Sequence, residues 1–126
     1  MKSQKSQSGS ILLESLIAIL IFSLGVMALA GMQGISMKNT TMSKTRIDAS
    51  LVAGQRIASM WVDQGVNGTN LPTYVETDTA VPDLPGGLRT TAVVGDQVTV
   101  TVTWQMPGDP TVNSYRSIAR ITSNPP

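Results

Sequence analysis

The chain has 126 residues, no cysteine and no histidine, and nine lysines and arginines against eight aspartates and glutamates. Without cysteine and histidine, the chain cannot build disulfides, thiolate nucleophiles, Cys-type zinc sites or a Ser-His-Asp triad. The net charge of +1 provides no field that would attract nucleic acid. We therefore expect no enzyme activity, no metal or other cofactor, and no nucleic-acid partner.

The most apolar part of the chain is residues 11–32, ILLESLIAILIFSLGVMALAGM, in which 17 of 22 residues are apolar. At ~1.5 Å per residue a helix of this length reaches about 33 Å, enough to cross a hydrocarbon core of ~30 Å. Two ordinary interpretations are a single-pass anchor and a secretory signal. The signal interpretation is favoured by Lys2 and Lys5 and by the small-x-small sequence Ala28-Leu29-Ala30.

Glu14 is explained by neither interpretation. A carboxylate in a membrane helix costs ~2.5 kcal/mol or more at the bilayer centre and less near the interface, so it requires a partner. No lysine or arginine lies between Lys5 and Lys38. Cleavage between Gly9 and Ser10 would create an α-amino group four residues before Glu14, one helical turn away. The carboxylate would then pair with the amine of its own chain or of a neighbouring chain.

The leader MKSQKSQS, the following Gly9, and an apolar run with Glu14 fifth after the glycine resemble the class III signal of type IV prepilins and type II secretion pseudopilins. The stretch SLIAILIFSLGVMALAGMQ is similar in particular to the PilV group of minor pilins, the type IV pilus modification proteins. The resemblance implies that prepilin peptidase cuts after Gly9, that Ser10 becomes an N-methylated terminus, and that Glu14 guides docking into the fibre. The chain departs from the family at Ser10, where phenylalanine is usual.

The same resemblance implies the partners and the location of the protein. Its partners would be the prepilin peptidase/methyltransferase, the inner-membrane assembly platform, and other minor and major pilins. The precursor would cross the inner membrane once, with a cytoplasmic leader and a periplasmic C-terminal domain, and the mature protein would reach the pilus at the cell surface. Basic residues flank the span on both sides, so this orientation rests on the resemblance alone; they are Lys2, Lys5, Lys38, Lys44 and Arg46.

Helical periodicity continues beyond the span. An apolar stripe, broadened by Ala53, Ile57 and Met60, is expected to pack on the protein's own sheet; its members are Ile47, Leu51, Gly54, Ala58 and Trp61. The cluster Gly65-Val66-Asn67-Gly68 ends helices, so we predict one helix from about Ser10 to Gln64. Three glycines weaken its middle and would let it unwind when a subunit leaves lipid; they are Gly25, Gly31 and Gly34.

The C-terminal half predicts a small antiparallel sheet. Residues 69–87 hold three prolines and are expected to form an ordered loop with a short strand at Thr73 to Glu76. Residues 97–105 alternate strictly and should pair with 88–94 through a Gly95-Asp96 turn that sets Val93 opposite Val98. Residues 114–122 form a further strand, with Arg116 and Arg120 on a solvated face. Acidic residues in the proline-rich loop do not match an EF-hand; they are Glu76, Asp78 and Asp83.

Together these elements predict an α+β fold, a long N-terminal helix packed on three or four antiparallel strands in the lollipop form of pilins. The expected segments are a leader at 1–9, a transmembrane and polymerisation helix at 10–32, an amphipathic periplasmic helix at 33–66 and a β domain at 67–126. The resulting hypothesis is a minor pilin that initiates, primes or modifies a type IV pilus. Two alternatives are a minor pseudopilin of a type II secretion system and a membrane-tethered binding module that never polymerises.

Overall fold

A computed structural model describes residues 7–122, without the side chains of Gln7 and Asn67. One α-helix, α1, covers Gln7–Val62, followed by 3₁₀ turns at Val66–Gly68 and Leu71–Tyr74. Four strands follow, and their bounds are β1 Glu76–Val81, β2 Gly87–Val94, β3 Gln97–Gln105 and β4 Val112–Arg120. The chain divides into a first compact unit ending at Thr41 and a second beginning at Met42. The predicted α+β fold, a long helix and a small antiparallel sheet, is confirmed.

α1 is continuous through the segment predicted to be weak. It has 56 residues and contains no proline, the residue that most strongly breaks a helix. Hydroxyl groups inside the helix donate back to carbonyl oxygens one turn earlier, as Ser15 does to Ile11 at 2.8 Å and Thr40 to Ser36 at 2.9 Å. These bonds satisfy polar side chains without interrupting the backbone ladder. The predicted helix is confirmed, with its end two residues earlier than expected.

The four strands form an antiparallel meander in the order β1-β2-β3-β4. The predicted hairpin is confirmed, with Val93 opposite Val98 and Val94 opposite Gln97. Gly95 has φ 62° and Asp96 does not have a positive φ, the pattern of a type II′ turn, whose twist matches that of the paired strands. β4 pairs with β3 over nine consecutive positions. It begins and ends two residues earlier than the predicted 114–122.

The connection between α1 and the sheet corrects one prediction. Residues Thr73 to Glu76 do not form a strand, because Leu71–Tyr74 is a 3₁₀ turn with proline at its start. Proline fixes φ near −65° and favours such a turn. β1 instead occupies Glu76–Val81, inside the segment expected to be mostly loop. The Tyr74 hydroxyl donates to Asp63 Oδ2 at 2.9 Å, and this hydrogen bond raises the pKa of Tyr74.

The core of the second unit lies between α1 and one face of the sheet. On β3 the predicted inward face is confirmed, since Val98, Val100, Val102 and Trp104 are all buried. From α1 the small residues Ala49 and Ala53 belong to the same buried cluster. Its other members are Val52, Met60, Leu71, Val81, Leu84 and Ile121. Alternation along β3 places its threonines on the opposite face.

Of the predicted stripe, only the broadening residues lie on the helix face that covers the sheet; they are Ala53, Ile57 and Met60. Ile47 and Leu51 remain 66% and 58% exposed, and Gly54, Ala58 and Trp61 are also exposed. At about 100° per residue, the buried helix residues lie on roughly the opposite side of α1; they are Thr45, Ala49, Val52, Ala53 and Met60. The expectation was wrong for the five exposed residues because α1 is apolar on two sides, and periodicity alone does not say which side meets the sheet.

A half-buried ionic network fastens α1 to β1 and β2. Glu76 Oε1 accepts from Arg89 Nε at 2.6 Å and from the Thr91 hydroxyl at 2.9 Å, and Arg56 Nε of α1 lies 3.2 Å from the same oxygen. Burial alone would raise the pKa of Glu76, but hydrogen bonds from Arg89, Thr91 and Thr79, with the charge of Arg89, outweigh it and lower the pKa to about 2. The carboxylate is therefore held ionised between two strands and the helix.

Candidate assembly helix

The predicted site residues Gly9, Ser10 and Glu14 all lie in the first turns of α1 and are exposed. Because the helix is continuous, Ser10 and Glu14 are one turn apart on the same face, separated by about 6 Å along the axis. An amine at Ser10 would thus be within reach of the carboxylate. Leader residues 1–6, including Lys2 and Lys5, fall outside the described residues, so the structure covers only part of the predicted cleavage signal.

Gly9 is not required by packing in the described part of the chain. A Cβ built there meets no atom within 4 Å, and the same is true of Gly25, Gly31, Gly34 and Gly54. Each glycine costs a helix about 1 kcal/mol relative to alanine. The fold of the described residues therefore gains no packing advantage from these glycines.

The surface of α1 over residues 11–32 is apolar and uncovered. The helix contains an 18-residue window of mean hydropathy 2.4 with none of its surface buried, and side chains as large as Phe22 are 73% exposed. Soluble monomers rarely leave an apolar patch of this extent in water. The described residues contain one helix long and apolar enough to cross a membrane. An exposed apolar helix of this length is consistent with a membrane anchor.

Glu14 is the only charged residue of the apolar segment 11–32. The ion pairs of Glu76 with Arg56 and Arg89 do not involve Glu14, and the basic residues nearest to Glu14 in the sequence are Lys5 and Lys38. A carboxylate without a cation inside a hydrocarbon environment is unfavourable by several kcal/mol at the centre. In the folded chain the Glu14 carboxylate therefore still requires the positive partner that the sequence led us to expect.

A second uncovered apolar surface lies on α1 within the second unit. We call it the outer stripe, and it consists of Ile47, Leu51, Gly54, Ala58 and Trp61. Glycine and alanine in its centre let another helix approach closely, and the larger side chains supply contact area. Sequence reasoning assigned this stripe to the protein's own sheet. The sequence did not distinguish the two sides, because Ala49, Val52 and Ala53 form a second apolar face with the same helical period.

The second unit also has a cleft of about 210 Å³ between α1 and the ends of β3 and β4, which sequence reasoning missed. Its lining combines one cation with neutral side chains; the lining residues are Met42, Ser43, Arg46, Trp104, Asn113 and Ser114. None of these residues is a carboxylate, histidine or cysteine. The cleft therefore lacks the usual general base and nucleophile pair.

No family model, curated protein or solved structure matches this chain.

Proposed function

We propose that this chain is a minor pilin of a type IV pilus, of the PilV group. It is made as an inner-membrane precursor, cut after Gly9 by prepilin peptidase, and incorporated into the fibre through α1. There it initiates, primes or modifies pilus assembly and so influences adhesion, twitching motility or DNA uptake. The observation that carries the proposal is the uncovered apolar helical segment 11–32, whose single carboxylate, Glu14, lies one turn after Ser10.

Two separate properties of α1 support this role. Its first part presents an apolar surface that suits lipid before assembly and neighbouring helices after assembly. Its second part keeps the outer stripe exposed while the opposite side packs on the sheet. In the fibre, apolar helices pack side by side. A salt bridge from Glu14 to the Ser10 amine of the same chain or a neighbour sets their axial register.

The first experiment determines the N-terminus of the protein. The full chain is purified from membranes of cells with active prepilin peptidase, and its N-terminal sequence and intact mass are measured. We expect the protein to begin at Ser10, with or without an added methyl group. Retention of Met1 in these cells refutes the proposal. A protein beginning at Gly31 would instead identify signal peptidase as the processing enzyme.

The second experiment tests the carboxylate. Glu14→Ala should leave membrane insertion and cleavage intact but abolish recovery of the protein in sheared pili, because the amine at Ser10 loses its partner. Ser23→Ala is the matched control, since it also removes a polar group from the apolar segment but no charge. Normal incorporation of the Glu14→Ala protein favours a membrane-tethered module that does not polymerise. Recovery of the native chain only with a type II secretion apparatus identifies a pseudopilin.

A further inference from the structure

The outer edge of β4 presents a row of backbone groups without a neighbouring strand. β4 is last in the sheet order, so none of the described strands covers it. Val94 and Gln97 flank a two-residue turn and therefore form a hydrogen-bonded pair. From Gln97 onward, successive β3 residues direct their backbone N–H and C=O groups alternately to β2 and to β4. The Ile121 N–H donates to Asp96 O at 2.8 Å. This bond agrees with the alternation, because Asp96 precedes Gln97 and bonds on the β4 side.

This alternation identifies the β4 residues whose backbone groups point away from β3 and can bond an added strand. Val98, Val100 and Val102 bond to Ala119, Ser117 and Tyr115 in the observed register. The intervening residues therefore direct their N–H and C=O groups away from the sheet; they are Val112, Ser114, Arg116, Ile118 and Arg120. These same five side chains are all exposed.

The two edges of the sheet differ in their protection. On β1 the register shifts between Glu76 and Thr79, and Asp78 has φ 50°. Bulges of this kind prevent a further strand from pairing. β4 has no such break over its nine residues. An unbroken, exposed edge of this length is a template for an added strand.

The side chains along the free edge define the chemistry of a fitting strand. Arg116 and Arg120 are exposed, and none of the described carboxylates forms an ion pair with either. Their cross-strand neighbours on β3 are the neutral Thr101 and Gln97. Between them Ile118 is 57% exposed. An added strand would therefore place acidic residues opposite the two arginines and an apolar residue opposite Ile118.

A second copy of the chain fits this edge poorly. Symmetric antiparallel pairing of β4 with β4 over its full length places Arg116 opposite Arg116 and Val112 opposite Arg120. Like charges directly opposite each other destabilise a sheet. The observed charges thus favour a different chain that supplies carboxylates.

We propose that the free edge of β4 binds an extended acidic segment of another protein, which adds to the sheet as a fifth, antiparallel strand. The segment alternates, with acidic, apolar and acidic residues facing Arg116, Ile118 and Arg120, and small apolar residues on the other face beside half-buried Tyr115 and Ser117. The inference does not depend on the proposed pilin function, because it rests on the sheet alone.

The test uses the full chain in detergent micelles and a fluorescein-labelled peptide, VEVIVEV, measured by fluorescence anisotropy. In one form of the peptide the valine nitrogens, which would point away from β4, are N-methylated to prevent self-association. In the matched control the glutamate and isoleucine nitrogens, which would face β4, are methylated instead. We expect the first peptide to bind and the control to bind at least about tenfold more weakly, because only the control loses donors to β4. Equal binding of both, or binding of neither, overturns the proposal.

Charge reversal tests the role of the arginines. An R116E/R120E double variant should weaken binding of the first peptide about tenfold, and replacing both peptide glutamates by lysine should restore binding to the variant. Unchanged affinity of the double variant overturns the proposed recognition. So does self-association of the native chain that Ile118→Pro abolishes, since it would identify a second copy as the occupant. If the double variant does not fold, the two methylated peptides on the native chain still decide the outcome.

Discussion

Replacing Glu76 by glutamine should loosen the attachment of α1 to the sheet. The carboxylate lies between Arg56, Arg89 and Thr91, and its side chain is 14% exposed. Its pKa is lowered from 4.5 to about 2, and a difference of this size corresponds to roughly 3 kcal/mol. Solvent at the partly open side reduces this figure, so we expect Glu76→Gln to lower the free energy of unfolding by about 2 kcal/mol at pH 7.

The dependence on pH distinguishes the charge from simple packing. Because the pKa of Glu76 is lower in the folded chain than in the unfolded chain, its contribution is complete above about pH 4.5. It disappears as the pH falls toward 2. The difference in stability between native protein and Glu76→Gln should therefore shrink over this range.

Urea unfolding of the full chain in detergent micelles measures this effect through tryptophan fluorescence. A Trp61→Phe background leaves the buried Trp104 as the reporter. Asp83→Asn is the matched control, since Asp83 is exposed and forms no ion pair with the described residues; it should change stability by less than about 0.5 kcal/mol. A loss for Glu76→Gln that equals the control, or that persists unchanged at pH 2, would refute the reasoning.

Three further predictions concern the core, the outer stripe and the cleavage site. Val100→Ala in the full chain should lower the free energy of unfolding by about 2 kcal/mol in urea titrations, whereas Val112→Ala on the exposed face should cost less than about 0.5 kcal/mol; equal losses would contradict the described core. Leu51→Ser should change the free energy of unfolding by less than about 0.5 kcal/mol but reduce recovery of the protein in sheared pili several-fold. Gln55→Ala should change neither the stability nor the recovery. Unchanged recovery of the Leu51→Ser protein would exclude the outer stripe as an assembly surface. Gly9→Ala should preserve the helix content measured by circular dichroism, because a Cβ meets no atom there, but the intact mass should show that the leader is not cleaved. Normal cleavage of this variant would show that Gly9 is not required for processing.

Local patterns were sufficient for much of the fold. Strict alternation along β3 predicted its buried face, since successive side chains point to opposite sides of a strand. The two-residue turn at Gly95 set the register of β2 and β3. The length and apolarity of 11–32 predicted a membrane-length helix. Each of these features depends on neighbours close in sequence, and the structure agrees with each.

Other features escaped sequence reasoning because they depend on distant residues. β1 was expected to be mostly loop, because residues 69–87 hold three prolines and show little pattern. In the structure β1 pairs with β2, and Glu76 bonds Arg89 and Thr91 on that strand. The site residues Gly9, Ser10 and Glu14 were assigned from the N-terminal signal, and the structure adds only their placement on one continuous helix. The free edge of β4 also emerged only from the sheet order.

The sequence by itself determined the elements: a helix too apolar for water along its first part, and strands whose alternation selects an inner face. Only the tertiary structure decided which side of α1 covers the sheet. Both sides carry apolar residues, and periodicity treats them equally. Ala49 and Ala53 are buried in the same cluster as the valines of β3, and Arg56 reaches Glu76 from the same side. Ile47, Leu51 and Trp61 are consequently left outside, available to other molecules.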